Sequence, residues 1–416
     1  MRICLANVRY SPNLGDGLIA ECLMYAIETA MPSASIDTID LAGRVGHAAE
    51  YGKNRRLYLK VMKSLPKPLR LAAVCGALLP SLALRLGPGW AARLRNADIL
   101  IIGGGQIFAD SDLNFPLKLS TVLRQAHATG TPVAIHSVGV SADWSTIGRH
   151  LLRSALTKAE LVYASVRDGS SAAHMSRLFL EGSSVQIRQV RDPGLLASRV
   201  YPPRPASEPP DAGCREIGIN ISHPDVLGYH SDRGNKIDPE AMACLYLETA
   251  EKIHKLGLKP VLFTNGSPED HGFMTALADR LIQGSLTAEN FRVVPRPTTP
   301  SELIETISSF HGVIAHRLHA NIAAYSFRIP HVGLPWDRKV DSFFASVGRE
   351  AFMIPVNGVT SDIVVSTLAA ALEAGIDPGT HHAVLNETAE SIRGLLQAVQ
   401  AHRAKDRERT LILKSI

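Results

Sequence analysis

Along this chain, apolar runs of strand length alternate with segments of helical periodicity; the alternation breaks once, then restarts. Before the break, strand-like runs fall at 2–6, 35–39, 98–102, 132–136 and 161–166, and helix-like segments at 17–30, 116–129, 146–157 and 170–180. After it, the strands are expected at 216–221, 259–264, 292–294, 312–315 and 330–334, and the helices at 239–256, 268–282, 300–310, 318–326 and 338–347. Strand, helix, strand in repetition is what a parallel sheet covered on both faces requires. The break is Tyr201-Pro202-Pro203-Arg204-Pro205-Ala206-Ser207-Glu208-Pro209-Pro210, with five prolines in ten residues. Proline lacks a backbone donor and fixes φ, so the stretch reads as a linker over 201–214.

A chain of 416 residues exceeds one small core. The expected architecture is α/β: two Rossmann-like domains, 1–200 and 215–375, facing each other across a cleft in a GT-B-like arrangement. The tail, 376–416, has helical periodicity and many charges, and is expected on the surface.

Five scattered cysteines form no C-x-x-C pair, which argues for a reducing compartment and against a disulfide framework or zinc site. The first residues run straight into a short strand rather than a signal-peptide core. The longest apolar run, 71–84, holds Gly76 and Pro80 and is too short to span a bilayer. A cytoplasmic protein is expected. Between 51 and 97 there are ten basic residues and no Asp or Glu. Mixed with leucines, this insertion either touches anionic lipid, making the chain peripheral on the inner membrane leaflet, or packs as a helical insertion with a solvated basic face. Nucleic acid is disfavoured, because the segment lacks interleaved aromatics and any nucleic-acid-binding motif.

His316-Arg317-Leu318-His319 follows the apolar run 312–315 and opens a helix-like segment. A guanidinium and two imidazoles thus stand at the carboxyl end of a parallel strand, beside a helix N-terminus. Open α/β sheets bind ligands there, and helix N-termini favour anions. The stretch asks for an anionic substrate with proton-transfer groups beside it.

Other strand ends carry further candidates. Asn13 and Asp16, in Asn13-Leu14-Gly15-Asp16-Gly17, either touch a sugar hydroxyl or make a turn and cap the helix. Gly103-Gly104-Gly105-Gln106-Ile107-Phe108 lets backbone bend or make room for a ligand, yet it matches neither G-x-G-x-x-G nor a P-loop. Nicotinamide enzymes and NTPases are therefore disfavoured. His136 ends a strand as a proton-transfer group or a backbone-satisfied core histidine. Arg167, before the N-cap candidate Asp168, is an anion clamp or a surface ion pair. The polar loop 223–236 is a lid or a plain surface loop. Trp336 stacks on a sugar face or is buried, and Lys339 reaches an anion.

These motifs, in this order, resemble the polysaccharide pyruvyl transferase family. The matching pieces are Asn13-Leu14-Gly15-Asp16, Gly103-Gly104-Gly105-Gln106-Ile107-Phe108, Ser137-Val138-Gly139, Ser165-Val166-Arg167-Asp168, Asp192-Pro193, Arg317-Leu318-His319-Ala320 and the later Lys339 segment. The resemblance spans residues 1–354 and omits the insertion and the tail. It implies transfer of the enolpyruvyl group of phosphoenolpyruvate onto a saccharide, usually as a cyclic ketal. The first domain is then the acceptor side and the second the phosphoenolpyruvate side. Two cations suit the phosphate and carboxylate of this donor: Arg317 and Arg167, with Lys339 a further one. His319 is the first choice as general acid, with His136 assisting or holding phosphate, although His316 beside Arg317 allows the histidine roles to be exchanged. Asp16 orients or deprotonates a hydroxyl, and Asn13, Gly104, Gly105 and Trp336 face the acceptor. No cofactor beyond the donor substrate and no metal are expected, since no metal-ligand spacing is visible. The acceptor is a saccharide, free or polyprenyl-linked. Competing readings are a GT-B glycosyltransferase using a nucleotide sugar and a membrane-associated scaffold of exopolysaccharide assembly.

Overall fold

In the computed structural model, which describes residues 1–47, 65–202, 215–230, 238–284, 286–287 and 289–414, the chain forms two wholly parallel sheets. The first contains β1 (Arg2–Asn7), β2 (Ser35–Asp40), β3 (Ile99–Gly103), β4 (Val133–Val138), β5 (Leu161–Val166) and β6 (Ile187–Gln189), in the order β2-β1-β3-β4-β5-β6. The second contains β7 (Glu216–Asn220), β8 (Lys259–Phe263), β9 (Arg292–Val293), β10 (Gly312–Ala315) and β11 (His331–Gly333), in the order β11-β10-β7-β8-β9. The two domains are Rossmann-like, as the βα alternation requires. The 203–214 part of the expected linker, residues 51–64 of the insertion and residues 231–236 of the 223–236 loop lie outside the described residues.

Strand order reverses between β1 and β3 in one sheet and between β7 and β10 in the other. At such a reversal the connections leaving two neighbouring strands diverge to opposite faces, and a crevice opens at the carboxyl ends. The connections leaving these four strands lead into Asp16, Gly104, His223 and Arg317.

Side chains alternate across each strand with period two. Ile3, Leu5, Ile99 and Ile101 face the helix Leu14–Ala30, whereas Cys4, Ala6, Leu100 and Ile102 face the helices Lys67–Ser81, Gly87–Leu94, Asn114–Thr129 and Thr146–Lys158. The first of these cores runs without a break into the second domain through Phe263, Ile304, Ala320 and Ala323.

The tail does not simply lie on the surface. It is one helix, Pro378–Lys414, that returns to the first domain, packs on the helix Leu14–Ala30 and on β4 and β5, and buries Ile392, Leu395, Leu396 and Val399 in the core there. The spacing of these four residues makes one apolar stripe, and each stabilises the docking by about 1.5–3 kcal/mol. Arg403–Asp98 at 3.1 Å and His402–Glu160 at 3.3 Å fasten its far end.

The insertion also differs from expectation. Its described part is a continuous helical run, Lys67–Leu94, of 28 residues, which by length and composition is enough to cross a bilayer. The apolar run alone is shorter because the basic residues at its ends are counted out, but they too are helical. Pro80 interrupts the backbone ladder, and a π-helical turn, Leu82–Leu86, follows it.

Candidate functional site

The chain leaves β10 and enters the helix Leu318–Ser326, every residue of which is buried. Arg317 stands at its N-cap, 7% exposed, and donates from Nη2 to Asp270 Oδ2 at 2.6 Å. Asp270 is fully buried and also accepts the backbone N–H of His223 at 2.8 Å. The carboxylate thus fixes the guanidinium while Nε, also buried, has no hydrogen-bond partner. His316 turns the other way: its Nδ1 lies 2.9 Å from the Tyr246 hydroxyl, which accepts from the backbone of Ser222 at 3.2 Å.

From the first domain, Arg167 follows β5 and is wedged between three polar groups. Its Nη2 donates to Gln106 Oε1 at 3.0 Å, Nε lies 3.6 Å from Asp168, and Nη1 lies 3.6 Å from Asp192 Oδ2. Asp168 caps the helix Gly169–Phe179, accepting from the backbone of Ser171, as expected. The same Asp192 oxygen stands 4.0 Å from His319 Nε2. Asp192 therefore links the arginine of one domain to the histidine of the other, and burial pushes its carboxyl above the usual range against the pull of Arg167.

His319 is where the two domains meet. A Cβ on Gly15 would collide with its imidazole, so only glycine lets the first turn of Leu14–Ala30 pass over the ring. One residue earlier, the Leu14 N–H donates across the cleft to the carbonyl of Asn265 at 3.0 Å. Burial first, then the charges of Arg167, Lys339 and Arg317, lower the His319 pKa to about 3. The imidazole is thus neutral near pH 7, with three cations bearing on it. Asp16 shares this field. Burial raises its carboxyl to about 6, against Ser11, Arg44, Lys339 and Arg167, which hold it down. Gly104 and Gly105 have φ of +76° and +73°, and a Cβ at Gly105 would lie 3.6 Å from Asp16 Oδ1.

Beside the cluster is a cavity of about 290 Å³ lined by Arg167, Asp192, Leu318, Ile322, Lys339 and Phe343, among others. Lys339 Nζ reaches it from the helix Arg338–Ser346, 3.1 Å from Asp337 Oδ2 and 4.3 Å from the Trp336 ring centroid. Among the described residues, no group of three or more His, Cys, Asp or Glu side chains is placed to hold a metal ion.

The structure thus brings together Arg167, Arg317, Lys339, His319 and Asp16, with Gly104 and Gly105 alongside. Asn13 stands at the N-cap of Leu14–Ala30 without a side-chain cap bond, so the helix starts three residues earlier than expected and Asp16 lies in its first turn rather than capping it. Two candidates are placed elsewhere. His136 lies inside β4, fully buried, with Nδ1 3.1 Å from Ser165 Oγ and its ring 6.2 Å from Tyr163. Burial alone takes its pKa to about 3, with no contribution from the site's cations. Trp336 is 6% exposed and packed in the second core with Lys339 over its ring, so it serves as a platform for the lysine rather than a sugar-stacking face. Asp192, Asp270, Gln106 and Tyr246 were not singled out from the sequence as site residues. Of these, Asp192 and Gln106 had a signal, their places in the Asp-Pro and triple-glycine motifs.

A family model described as Polysaccharide pyruvyl transferase matches residues 13–338. No curated protein matches the chain. Among solved structures, S. aureus MnaA in complex with UDP is similar over 97% of each chain, at 10% identity with a TM-score of 0.56. The UDP-GlcNAc 2-epimerase from Neisseria meningitidis, bound to UDP-GlcNAc, is similar over 95% of this chain and 100% of its own, at 11% identity with a TM-score of 0.53. At such identities the likeness speaks for the fold, two Rossmann-like domains about a cleft, and for nothing finer.

Proposed function

This chain belongs to the polysaccharide pyruvyl transferase family, and from that premise we propose that it moves the enolpyruvyl group of phosphoenolpyruvate onto saccharide hydroxyls, closing a pyruvate ketal and releasing phosphate. The observation that supports this most is the convergence of Arg167, Lys339 and Arg317 on the imidazole of His319. Phosphoenolpyruvate carries a carboxylate and a phosphate, and guanidinium forks bind both groups well. In this reading Arg167 and Lys339, which line the cavity, meet the donor there, and Arg317, held by Asp270, adds its charge from beside it.

The electrostatics suggest how the acid is armed. Free His319 has no proton to give. A bound trianion offsets the three cations, so the imidazole regains a pKa nearer its ordinary value and takes up a proton with the donor in place. His319 then protonates carbon three, and carbon two becomes oxocarbenium-like. A saccharide hydroxyl adds to carbon two, and Asp16, raised to about 6, is suited to accept its proton. A second hydroxyl displaces phosphate. Of the two hydroxyl protons, one replaces that spent on carbon three and the other leaves with phosphate. Asp192 holds the His319 ring and Arg167 in register. His136 takes no part. The donor is a cytoplasmic metabolite, so the chain works in the cytoplasm.

Calorimetric titration of phosphoenolpyruvate into the wild type, Arg167→Ala and Arg317→Ala, beside a panel of nucleotide sugars, tests the reading. Donor binding is expected in the wild type and about tenfold to hundredfold weaker in each variant, the worth of one charge-assisted contact. Binding of a nucleotide sugar with indifference to phosphoenolpyruvate would replace this reading by glycosyl transfer.

A further inference from the structure

The helical run Lys67–Leu94 has two unlike faces. One packs on the first domain through Leu71, Leu78, Leu82, Leu86, Trp90 and Leu94, of which Leu82 and Trp90 are 4% exposed and Leu94 fully buried. The opposite face carries Leu69, Ala73, Gly76, Leu79, Ala83 and Leu84, all exposed, with Leu84 at 82%, Leu69 at 57% and Leu79 at 47%. Only 11% of its most apolar window is buried. Soluble proteins seldom leave so much contiguous apolar surface uncovered. No charged residue interrupts positions 71–84, roughly 21 Å of helix at 1.5 Å per residue. Both flanks keep exposed basic residues, Lys67 before and Arg85 and Arg95 after, while Arg70 and Arg93 pair with Asp112 at 2.7 Å and Asp37 at 2.6 Å on the first domain.

We propose that this face is a membrane-docking surface, with Lys67–Leu94 lying in the plane of an anionic lipid headgroup layer, its exposed leucines among the acyl chains and its basic flanks among the headgroups. A spanning orientation would require the inner face to leave the domain, where Leu94 and Trp90 are core residues. A second copy of the chain is a poorer occupant. With both helix ends basic, parallel or antiparallel pairing sets like charges together. Lipid with anionic headgroups satisfies the leucines and the flanks at once.

The position also matters for the cleft. Leu86 packs against Gly43, where a Cβ would lie 2.5 Å from Leu86 Cδ2. The next residue, Arg44, is one whose charge bears on Asp16. The docked helix therefore borders the wall proposed for the acceptor, which suits a saccharide carried on a lipid. That last point rests on the proposed reaction; the docking itself does not.

Flotation of the purified full-length chain with vesicles of phosphatidylcholine alone, or with phosphatidylglycerol added, tests the proposal without any turnover. Binding is expected to the anionic vesicles only, to weaken with salt, and to fall at least about tenfold in Leu79→Glu/Leu84→Glu, as two buried leucines would require. Those side chains touch no core, so the urea midpoint of the variant should match the wild type and report an intact fold. Failure to bind anionic vesicles, equal binding to neutral ones, or binding untouched by the double substitution would overturn the proposal. So would a wild-type dimer that the substitution converts to monomer without lipid. None of these outcomes bears on whether phosphoenolpyruvate binds the cleft.

Discussion

Two parallel strands, β4 and β10, each carry a histidine close to their carboxyl ends, and the two histidines have opposite fates. His136 is the fourth residue of β4, which runs two residues further, so the ring lies buried within the sheet, with Nδ1 beside Ser165 Oγ and Nε2 without a partner. His319 lies beyond the end of β10, in the first turn of the following helix, and points into the cleft between Gly15 and Asp192. Both imidazoles are neutral with pKa values near 3, but for different reasons. Burial alone acts on His136, whereas three cations add to burial at His319. Only at His319 does part of the shift come from charges that an anionic ligand can offset, although burial is the larger cause at both. A strand end is therefore not itself a site; what matters is whether the residue lies inside the ladder or just past it.

The sharpest way to break this comparison is to remove each ring. His319→Ala should lower kcat about a hundredfold to ten-thousandfold, the usual worth of a positioned acid, with the urea midpoint little changed. His136→Ala should do the reverse, costing about 1–3 kcal/mol in urea unfolding for the lost Ser165 contact and the space left, with kcat kept. Equal losses of turnover would dissolve the distinction. Next in size is Gly15→Ala, whose methyl must displace the imidazole; a drop of about a hundredfold in kcat with donor affinity retained is expected, because misplacement by an ångström costs that much.

Acid unfolding sharpens the same contrast. A histidine whose folded pKa is depressed makes the unfolded state the better proton binder, so stability is full above about 6.5 and falls as pH drops from there toward 3. His136→Gln should flatten part of that slope in either the free or the donor-bound protein. His319→Gln should flatten it in the free protein only, since the bound donor has already returned the wild-type pKa toward its ordinary value.

The smallest effect expected is at Asp16. Its folded pKa of about 6 lies above the usual carboxylate value, so the folded state binds the extra proton and stability declines as pH rises from about 4 to 6. Asp16→Asn should gain about 1 kcal/mol above that window, discounted because the side chain is partly exposed to the cleft, while turnover falls. A loss of stability instead would show the carboxylate to be a structural partner.

The part of this site that could be read from the sequence is the part set by local order. Strand, glycine turn and helix recur with such regularity that Arg167 and His319 fall at ligand-binding positions whatever the side chains do. Asp192, capping a 3-10 turn, and Asp270, in the first turn of the helix Pro268–Gln283, hold Arg167 and Arg317 from other segments of the chain and meet them only once the sheet of each domain has formed. For Trp336 a sugar-stacking and a buried reading stand side by side in the sequence, because nothing local shows that Lys339, three residues on, lies over its ring. β6 escaped notice because its three residues, Ile-Arg-Gln, form a short exposed edge without apolar periodicity. For the helix Pro378–Lys414, the stripe of Ile392, Leu395, Leu396 and Val399 was visible, but not the sheet it returns to.

The central claim is that an anionic donor arms His319 by offsetting Arg167, Lys339 and Arg317. The most direct test is proton uptake on phosphoenolpyruvate binding at about pH 6, read by calorimetry in buffers of different ionisation enthalpy, for the wild type and His319→Gln. More protons taken up per donor bound by the wild type than by the variant is the result expected. Equal uptake with equal affinity would mean that the imidazole stays neutral beside the donor, and that the acid lies elsewhere.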